Sequence, residues 1–305
     1  MKRIVITGAT GAVGMALIGF CMKNDVEVLV LCRKDSKRAE RIPVHPLVHT
    51  VFCDLDGMKS WEPEKKEPYD VFYHFAWTGT TGDARNDLYL QNKNVEYTLD
   101  AVRLAKRLGC RTFIGAGSQA EYGRTEGRLS EETPVRPENG YGIAKLCAGL
   151  MSREECRRLG IQHIWTRILS VYGPYDGENS MIRYSVRALL KGEVPELTAG
   201  EQLWDYIYSE DAARAFFLLG EKGKDGCVYC VGSGKARPLK EYMYLLRDAV
   251  NPKGSLGLGK RPYGERQIMY LCADISRLHE DTGFVPVISF EEGISRTVEW
   301  ERKVE

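Results

Sequence analysis

Arg3-Ile-Val-Ile-Thr7 runs straight into Gly8-Ala-Thr-Gly11-Ala-Val-Gly14, and Met15-Ala-Leu-Ile18 follows. A short β-branched run thus meets three glycines at a regular spacing and then residues that favour a helix. Gly8 and Gly11 let the backbone turn tightly and come close to a bound anion, and Gly14 permits close packing of helix on strand. The first amides of the helix, with the positive end of its dipole, then face whatever binds at the turn. A glycine triplet alone is a common turn. Between a strand and a helix it predicts a dinucleotide pyrophosphate site.

The rest of the chain repeats this alternation. Strands are expected near 2–7, 26–32, 48–53, 70–76, 111–117 and 163–169, with helices near 11–23, 85–108 and 140–159. Such alternation specifies an α/β, doubly wound parallel sheet. Gly109 and Gly160 stand where left-handed helix caps are needed. Beyond Gly173 the pattern loosens, with Gly/Pro punctuation at 173–177, 192–200, 232–238 and 251–264. The expected division is a nucleotide-binding domain over 1–173 and a smaller, mainly substrate-binding region over 174–305, with the chain returning to the first near 205–232. A cleft between the two follows.

Composition narrows the function classes. The chain has 305 residues, of which 43% are apolar, enough for a large core. Lysine and arginine number 43 against 42 acidic residues, so no global field points to nucleic acid or an anionic membrane surface. No apolar run approaches the ~20 residues that cross a bilayer, and the first strand leaves no room for a signal peptide. Nine scattered cysteines suit reduced thiols and a cytoplasmic location better than a disulfide framework. Cys227 and Cys230 form a C-x-x-C within a strand-like run, where residues three apart point to opposite faces. A structural role is expected, and no metal.

The second strand, Val26-Glu-Val-Leu-Val-Leu-Cys32, ends in Arg33-Lys34. An acidic residue there would bind the ribose hydroxyls of NAD; Cys32 does not. Arg33, helped by Lys34 or Lys37, instead suits the 2′-phosphate of NADP, the alternative being a solvated basic loop. NADP is therefore the preferred cofactor, with NAD possible. Asp54 closes the third strand as a candidate acceptor for the adenine amino group.

Strand Thr112-Phe-Ile-Gly-Ala-Gly-Ser118 places a hydroxyl at the carboxyl end of the sheet, where open α/β folds bind ligands. Tyr141-Gly-Ile-Ala-Lys145 follows, its tyrosine and lysine on one helical face. A nearby ammonium favours the phenolate, so Tyr141 is a candidate proton carrier. Tyr89-Leu-Gln-Asn-Lys93 has the same spacing, which shows how little spacing alone specifies. Ser118 and the glycine turn set Tyr141 apart, and Tyr89 and Lys93 are expected on a helix surface.

Taken together these motifs resemble the extended short-chain dehydrogenase/reductase family, specifically its nucleotide-sugar epimerase and dehydratase group, over nearly the whole chain. The resemblance rests on Thr7 to Gly14, His74-Phe-Ala76, Asn94-Val-Glu-Tyr-Thr98, Tyr122-Gly123 and Tyr141 to Lys145. It continues through Val171-Tyr-Gly-Pro174, Asp205 to Asp211, Arg261-Pro-Tyr-Gly and Ala273-Asp274. It implies a Rossmann domain, with Ser118, Tyr141 and Lys145 catalytic and Lys145 also on the nicotinamide ribose. The implied cofactor shell is Gly8, Thr10, Gly11, Ala12, Val13, Gly14, Arg33, Lys34, Asp54, Leu55, Phe75, Ala76 and Asn94, with Tyr141 and Lys145. Trp77, Ser170, Trp204, Arg261 and Arg266 are the implied substrate contacts, and a homodimer through the helices near 85–108 and 140–159 is implied as well.

Departures from the family pattern bear on the reaction. Ser170 replaces an asparagine that holds the nucleotide phosphate in many members, and Trp204 an arginine that precedes the aspartate in many; Trp204 either stacks on a base or fills the core. Gln119 and Ala120 replace the Asp-Glu pair with which 4,6-dehydratases eliminate water, and neither moves a proton. A displaced acid such as Glu121 stays open. The resemblance therefore implies a nucleotide-sugar epimerase passing through a transient keto-sugar. The alternatives are an NADPH-dependent ketosugar reductase and, from another class, a non-catalytic NADP-sensing protein.

Overall fold

The computed structural model of the protein describes residues 1–63 and 67–304. Its main sheet has seven parallel strands: β1 (Arg3–Thr7), β2 (Glu27–Cys32), β3 (Val48–Phe52), β4 (Val71–His74), β5 (Thr112–Ser118), β6 (Gln162–Ile168) and β10 (Cys227–Val231). Their spatial order is β3-β2-β1-β4-β5-β6-β10. The order reverses between β1 and β4, and a crevice opens there beyond the strand ends.

Both faces of the sheet are covered, so the strands are apolar on both sides. In β1, Ile4 and Ile6 join the core under α1 (Ala12–Lys23) and α5 (Ser209–Lys222), while Val5 joins the opposite core. That second core lies under α2 (Leu88–Arg107) and α3 (Gly140–Leu159), and includes Ala101, Val102 and Cys156. Strand β2 alternates likewise, with Val28 and Val30 on one side and Leu29 and Leu31 on the other. The helix of the fourth interval begins later than its sequence suggests, because 82–86 forms a 3₁₀ turn and Asp87 then caps α2 by accepting from the amide of Leu90.

The smaller region is built on strands β7 (Ser170–Tyr172), β8 (Leu203–Trp204), β9 (Tyr206–Tyr208) and β11 (Arg237–Pro238), and helices α4 (Met181–Leu190), α6 (Leu239–Val250) and α8 (Phe290–Val304), whereas α7 (Ser276–Thr282) packs beside α5 and β10 with Leu278 in the main-sheet core. A third core, with Val186, Tyr242, Leu246, Phe290 and Ile294, fills the smaller region. Asp205 ties it to the end of β10: its buried carboxylate accepts from the amides of Ser233, Gly234 and Ala273. Strand β10 pairs with β6, so the sheet's last strand comes from the chain after the first excursion into the smaller region.

Candidate active site

The glycine turn is set by contact as well as by conformation. Gly8 has φ of +70°, and a Cβ there would sit 2.5 Å from the amide nitrogen of Ala76. At Gly14 a Cβ would lie 2.6 Å from the Cα of Ala9. Around Gly11 the space is open, its nearest outside atom lying 3.9 Å from a hypothetical Cβ. Gly11 caps α1 without any side chain, which leaves the first amides of that helix for a ligand. Two cavities, of about 650 Å³ and about 370 Å³, share Gly8, Gly11, Phe75 and Trp77 and so form one groove across the turn. A dinucleotide fits this cradle: it is narrow in backbone, open at Gly11 and lined with donors.

Most residues expected around the cofactor face this groove. Thr10, Arg33, Leu55, Phe75 and Ala76 line the larger part, together with Lys37 and Arg38. Ala12, Val13, Gly14, Ser118, Tyr141 and Lys145 line the smaller one. Three expectations land elsewhere. Lys34 and Asp54 lie outside the lining, and the Asp54 carboxylate accepts from the Lys34 amide at 2.9 Å, tying together the carboxyl ends of the parallel strands β2 and β3. Asn94 is buried, and its side chain bonds only backbone, accepting from Thr78 and donating to the carbonyls of Thr78 and Leu90. It pins the loop at the groove's edge.

The catalytic candidates come from two elements that glycines bring together. Asn139 caps α3, and the helix begins with Tyr141 between Gly140 and Gly142. A Cβ at Gly142 would be 2.3 Å from the carbonyl of Ala120, and one at Gly140 would be 2.9 Å from the carbonyl of Arg85. Helix α3 can thus press against the end of β5 and the 82–87 loop. Ser118 ends β5, and its amide donates to Glu121 Oε1 at 2.8 Å. Lys145 is 3% exposed; its Nζ donates to the carbonyl of Ala116 at 2.6 Å and lies 3.7 Å from the ring centre of Trp77.

Burial decides the charge of this group. It pushes the Lys145 ammonium down to about 7, against a small opposing pull from Glu121. Burial also raises Tyr141, while the Ser118 side chain and the Arg85 cation work the other way. His74, likewise buried, is pushed down to about 3 and is a neutral ring bonded to Thr7 Oγ1. Glu121 is fully buried, with its oxygens engaged by Ser118 N, Trp165 Nε1 and Arg167 Nε. Glu121, the displaced acid that the sequence left open, is thus closed off by its partners, whereas Arg85 belongs to no spaced motif and nothing in the sequence marks it.

A third cavity, of about 610 Å³, lies in the smaller region and is lined by Trp204, Tyr206, Tyr184, Leu239, Gln202 and Arg261, among others. Trp204 is held by a hydrogen bond from its Nε1 to Ser170 Oγ at 2.8 Å, so Ser170 supports the indole from outside the lining. Arg266 is turned away and donates to the carbonyl of Glu138. On β10, Cys230 is buried beside the Tyr122 hydroxyl, whereas Cys227 lies next to Arg277. Among the described residues no group of His, Cys, Asp or Glu side chains could hold a metal, and no helix is long and apolar enough to cross a membrane.

Comparison with known proteins bears on this groove. The model of the NAD dependent epimerase/dehydratase family matches residues 4–232. A putative UDP-glucose 4-epimerase of Methanocaldococcus jannaschii is 25% identical over 97% of both chains. A dTDP-glucose 4,6-dehydratase of Haemophilus influenzae is 24% identical over 98% of both. Among solved structures, a UDP-N-acetylglucosamine 4-epimerase of Methanobrevibacter ruminantium superimposes with a TM-score of 0.89 at 24% identity, covering 100% of this chain and 99% of that one. A UDP-glucuronic acid 4-epimerase of Bacillus cereus, in complex with NAD, does so with 0.86 at 18% identity over 99% of each chain. These likenesses show a shared fold.

Proposed function

The chain belongs to the NAD-dependent epimerase/dehydratase family, and from that premise we propose that it epimerises one carbon of the sugar in a nucleotide-activated sugar, through a transient keto-sugar. The observation that carries this reading is the fate of the acids near Ser118. Gln119 and Ala120 have no proton to give, and Glu121 is buried with both oxygens bonded to Ser118, Trp165 and Arg167. Elimination of water needs a free acid or base, whereas epimerisation needs only what the groove holds. A putative UDP-glucose 4-epimerase and a dTDP-glucose 4,6-dehydratase both stand among the relatives, and the side chains beside Ser118 support the epimerase over the dehydratase.

In this mechanism Tyr141 takes the proton of a sugar hydroxyl and later returns it, and Ser118 fixes that hydroxyl against the phenol. Lys145, on the face of α3 that carries Tyr141, would assist the phenolate and hold the ribose of the nicotinamide. A bound nicotinamide would supply the reversible hydride chemistry. Trp204 and Arg261 in the third cavity receive the nucleotide.

The cofactor we propose is NADP. Cys32 ends β2 where an acidic residue would bind the ribose hydroxyls of NAD, and Arg33, Lys37 and Arg38 line the groove there alongside Asp35. A charge-assisted pair with the 2′-phosphate contributes about 1–3 kcal/mol; equal affinities for NADP and NAD, or tighter NAD binding, remove this reading. A homodimer through α2 and α3 is proposed as well, since Ile143, Leu150 and Met151 form an exposed apolar stripe on α3 beside exposed Leu88. Sedimentation of Leu150→Glu beside the wild type tests it, with unchanged mass of assembly in the variant as the contrary outcome. Nine free cysteines suit the reducing cytoplasm.

The reaction is tested by stoichiometry. Incubation with a panel of nucleotide sugars is expected to interconvert two of equal mass without net consumption of NADPH. Product that forms only with one NADPH oxidised per sugar, and with a gain of two hydrogens, reassigns the protein to ketosugar reduction. Binding of NADP without turnover of any sugar in the panel points to a sensor.

A further inference from the structure

We propose that Arg85 is a positioning residue that sets the acidity of Tyr141 from the outer face of its ring, a task that Lys145 by itself does not perform in this chain. The inference rests on the reading of Tyr141 as the proton carrier. Its geometry is explicit: the Arg85 guanidinium lies 4.2 Å from the centre of the Tyr141 ring, whereas Lys145 Nζ lies 5.7 Å away and is spent on the carbonyl of Ala116 and the face of Trp77. A cation over an aromatic face is attracted to its π electrons, and the attraction grows when the ring becomes a phenolate.

The loop carrying Arg85 is built to hold it there. Arg85 Nη1 donates to the carbonyl of Thr80, a residue lining the same cavity as Tyr141. The next residue, Asn86, accepts from the amide of Gly140 at 3.3 Å, and Gly140 leaves no room for a Cβ beneath the Arg85 carbonyl. Loop and helix are therefore joined immediately before the tyrosine. Among the described residues no carboxylate forms an ion pair with Arg85, so its charge is not already spent.

The groups around Tyr141 divide by sign. Arg85 comes from the loop before α2, Lys145 from the tyrosine's own helix, Glu121 from the turn after β5, and Asp176 lines the same cavity from the segment after β7; the hydroxyl of Ser118 and the edge of Trp77 also face the tyrosine. Lys145 has lost much of its hold on a proton through burial, and Glu121 opposes the phenolate. Arg85 brings the guanidinium among these neighbours, 4.2 Å from the ring centre, and a guanidinium is the side chain best suited to stack a cation on an aromatic face.

The test reads the tyrosine directly and needs no substrate. Full-length protein carrying tyrosine labelled with ¹³C at Cζ is titrated by NMR between about pH 7 and pH 11, with the Tyr141 resonance assigned from Tyr141→Phe. Arg85→Gln is expected to raise the Tyr141 midpoint by about one unit, a tenfold change in its acidity, and Arg85→Lys to recover at least half of the shift. Equal midpoints in wild type and Arg85→Gln overturn the proposal, as does a Tyr141 that stays protonated to the end of the titration in both. So does a shift accompanied by chemical-shift changes throughout the fold that Arg85→Lys does not reverse, since that is loss of structure. A shifted midpoint with no turnover of any nucleotide sugar sinks the epimerase reading instead and leaves the role of Arg85 standing.

Discussion

Tyr89 and Lys93 on α2 repeat the spacing of Tyr141 and Lys145 on α3, and the two pairs share nothing else. Tyr89 is 90% exposed, and Lys93 forms a surface ion pair with Glu96 at 2.8 Å. Tyr141 lies between Arg85 and Trp77 over a cavity, and Lys145 is 3% exposed. A four-residue interval puts two side chains on one face of a helix. What that face meets decides whether they do chemistry. Helix α3 meets the turn after β5 through Gly142 and the segment leading into α2 through Gly140, whereas the face of α2 that carries Tyr89 and Lys93 meets solvent.

The comparison can be broken most sharply by turnover. Tyr141→Phe removes the transferable proton and is expected to lower kcat by about 10²- to 10⁴-fold with little change in cofactor affinity. Tyr89→Phe is expected to leave kcat where it was. Retention of more than about a tenth of wild-type kcat in Tyr141→Phe would be too much for a proton carrier.

Stability against pH separates the lysines next. Lys145 has a folded-state value of about 7, below the ordinary lysine value that it regains on unfolding. Between those two values the unfolded chain binds the extra proton, so the contribution of Lys145 to stability rises as pH climbs from about 7 towards 10, against the buried thiols, whose raised values act the other way near the top of that range. Urea midpoints of the cofactor-free protein at about pH 7 and pH 9 should therefore show this rise in the wild type and a flatter response in Lys145→Met. Lys93→Met should keep the wild-type slope; a rise that survives in Lys145→Met would mean some other group supplies it.

Trp77 sharpens the same contrast, because only the buried lysine rests on an indole. Trp77→Leu removes a cation–π contact worth about 2 kcal/mol in a desolvated site, and the loss should be larger at about pH 6, where Lys145 is charged, than at pH 9. An equal loss at both would show that the indole serves packing alone. The smallest effect is expected at the exposed pair: Lys93→Gln should leave the urea midpoint essentially where it is, because solvent screens an exposed ion pair, and a clear loss in chemical denaturation would contradict its surface role.

The parts of the site that were legible in the sequence are those where a local need dictates a residue type. Gly8 and Gly14 answer backbone contacts with Ala76 and Ala9 that tolerate no side chain, so they stand out in any strand-turn-helix run. Ser118, Tyr141 and Lys145 could be singled out because strand ends and helix faces have periods. Lys34, Asp54 and Asn94 show the limit. Each lies close in sequence to the groove, yet a side-chain bond to backbone takes Asp54 and Asn94 out of it. Arg266 is diverted in the same way, to the carbonyl of Glu138.

By itself the sequence determined the alternating architecture, the glycine cradle and the family, because hydrophobic period and glycine placement are properties of neighbours along the chain. Only the tertiary structure decided which charges meet. Arg85 reaches Tyr141, Glu121 is closed off by Arg167, Lys145 rests on Trp77, and Trp204 is propped by Ser170. Each of these pairs joins residues far apart in the chain or outside any periodic pattern. Burial and the strength of a charge's field depend on distances through the folded body, which no local spacing encodes.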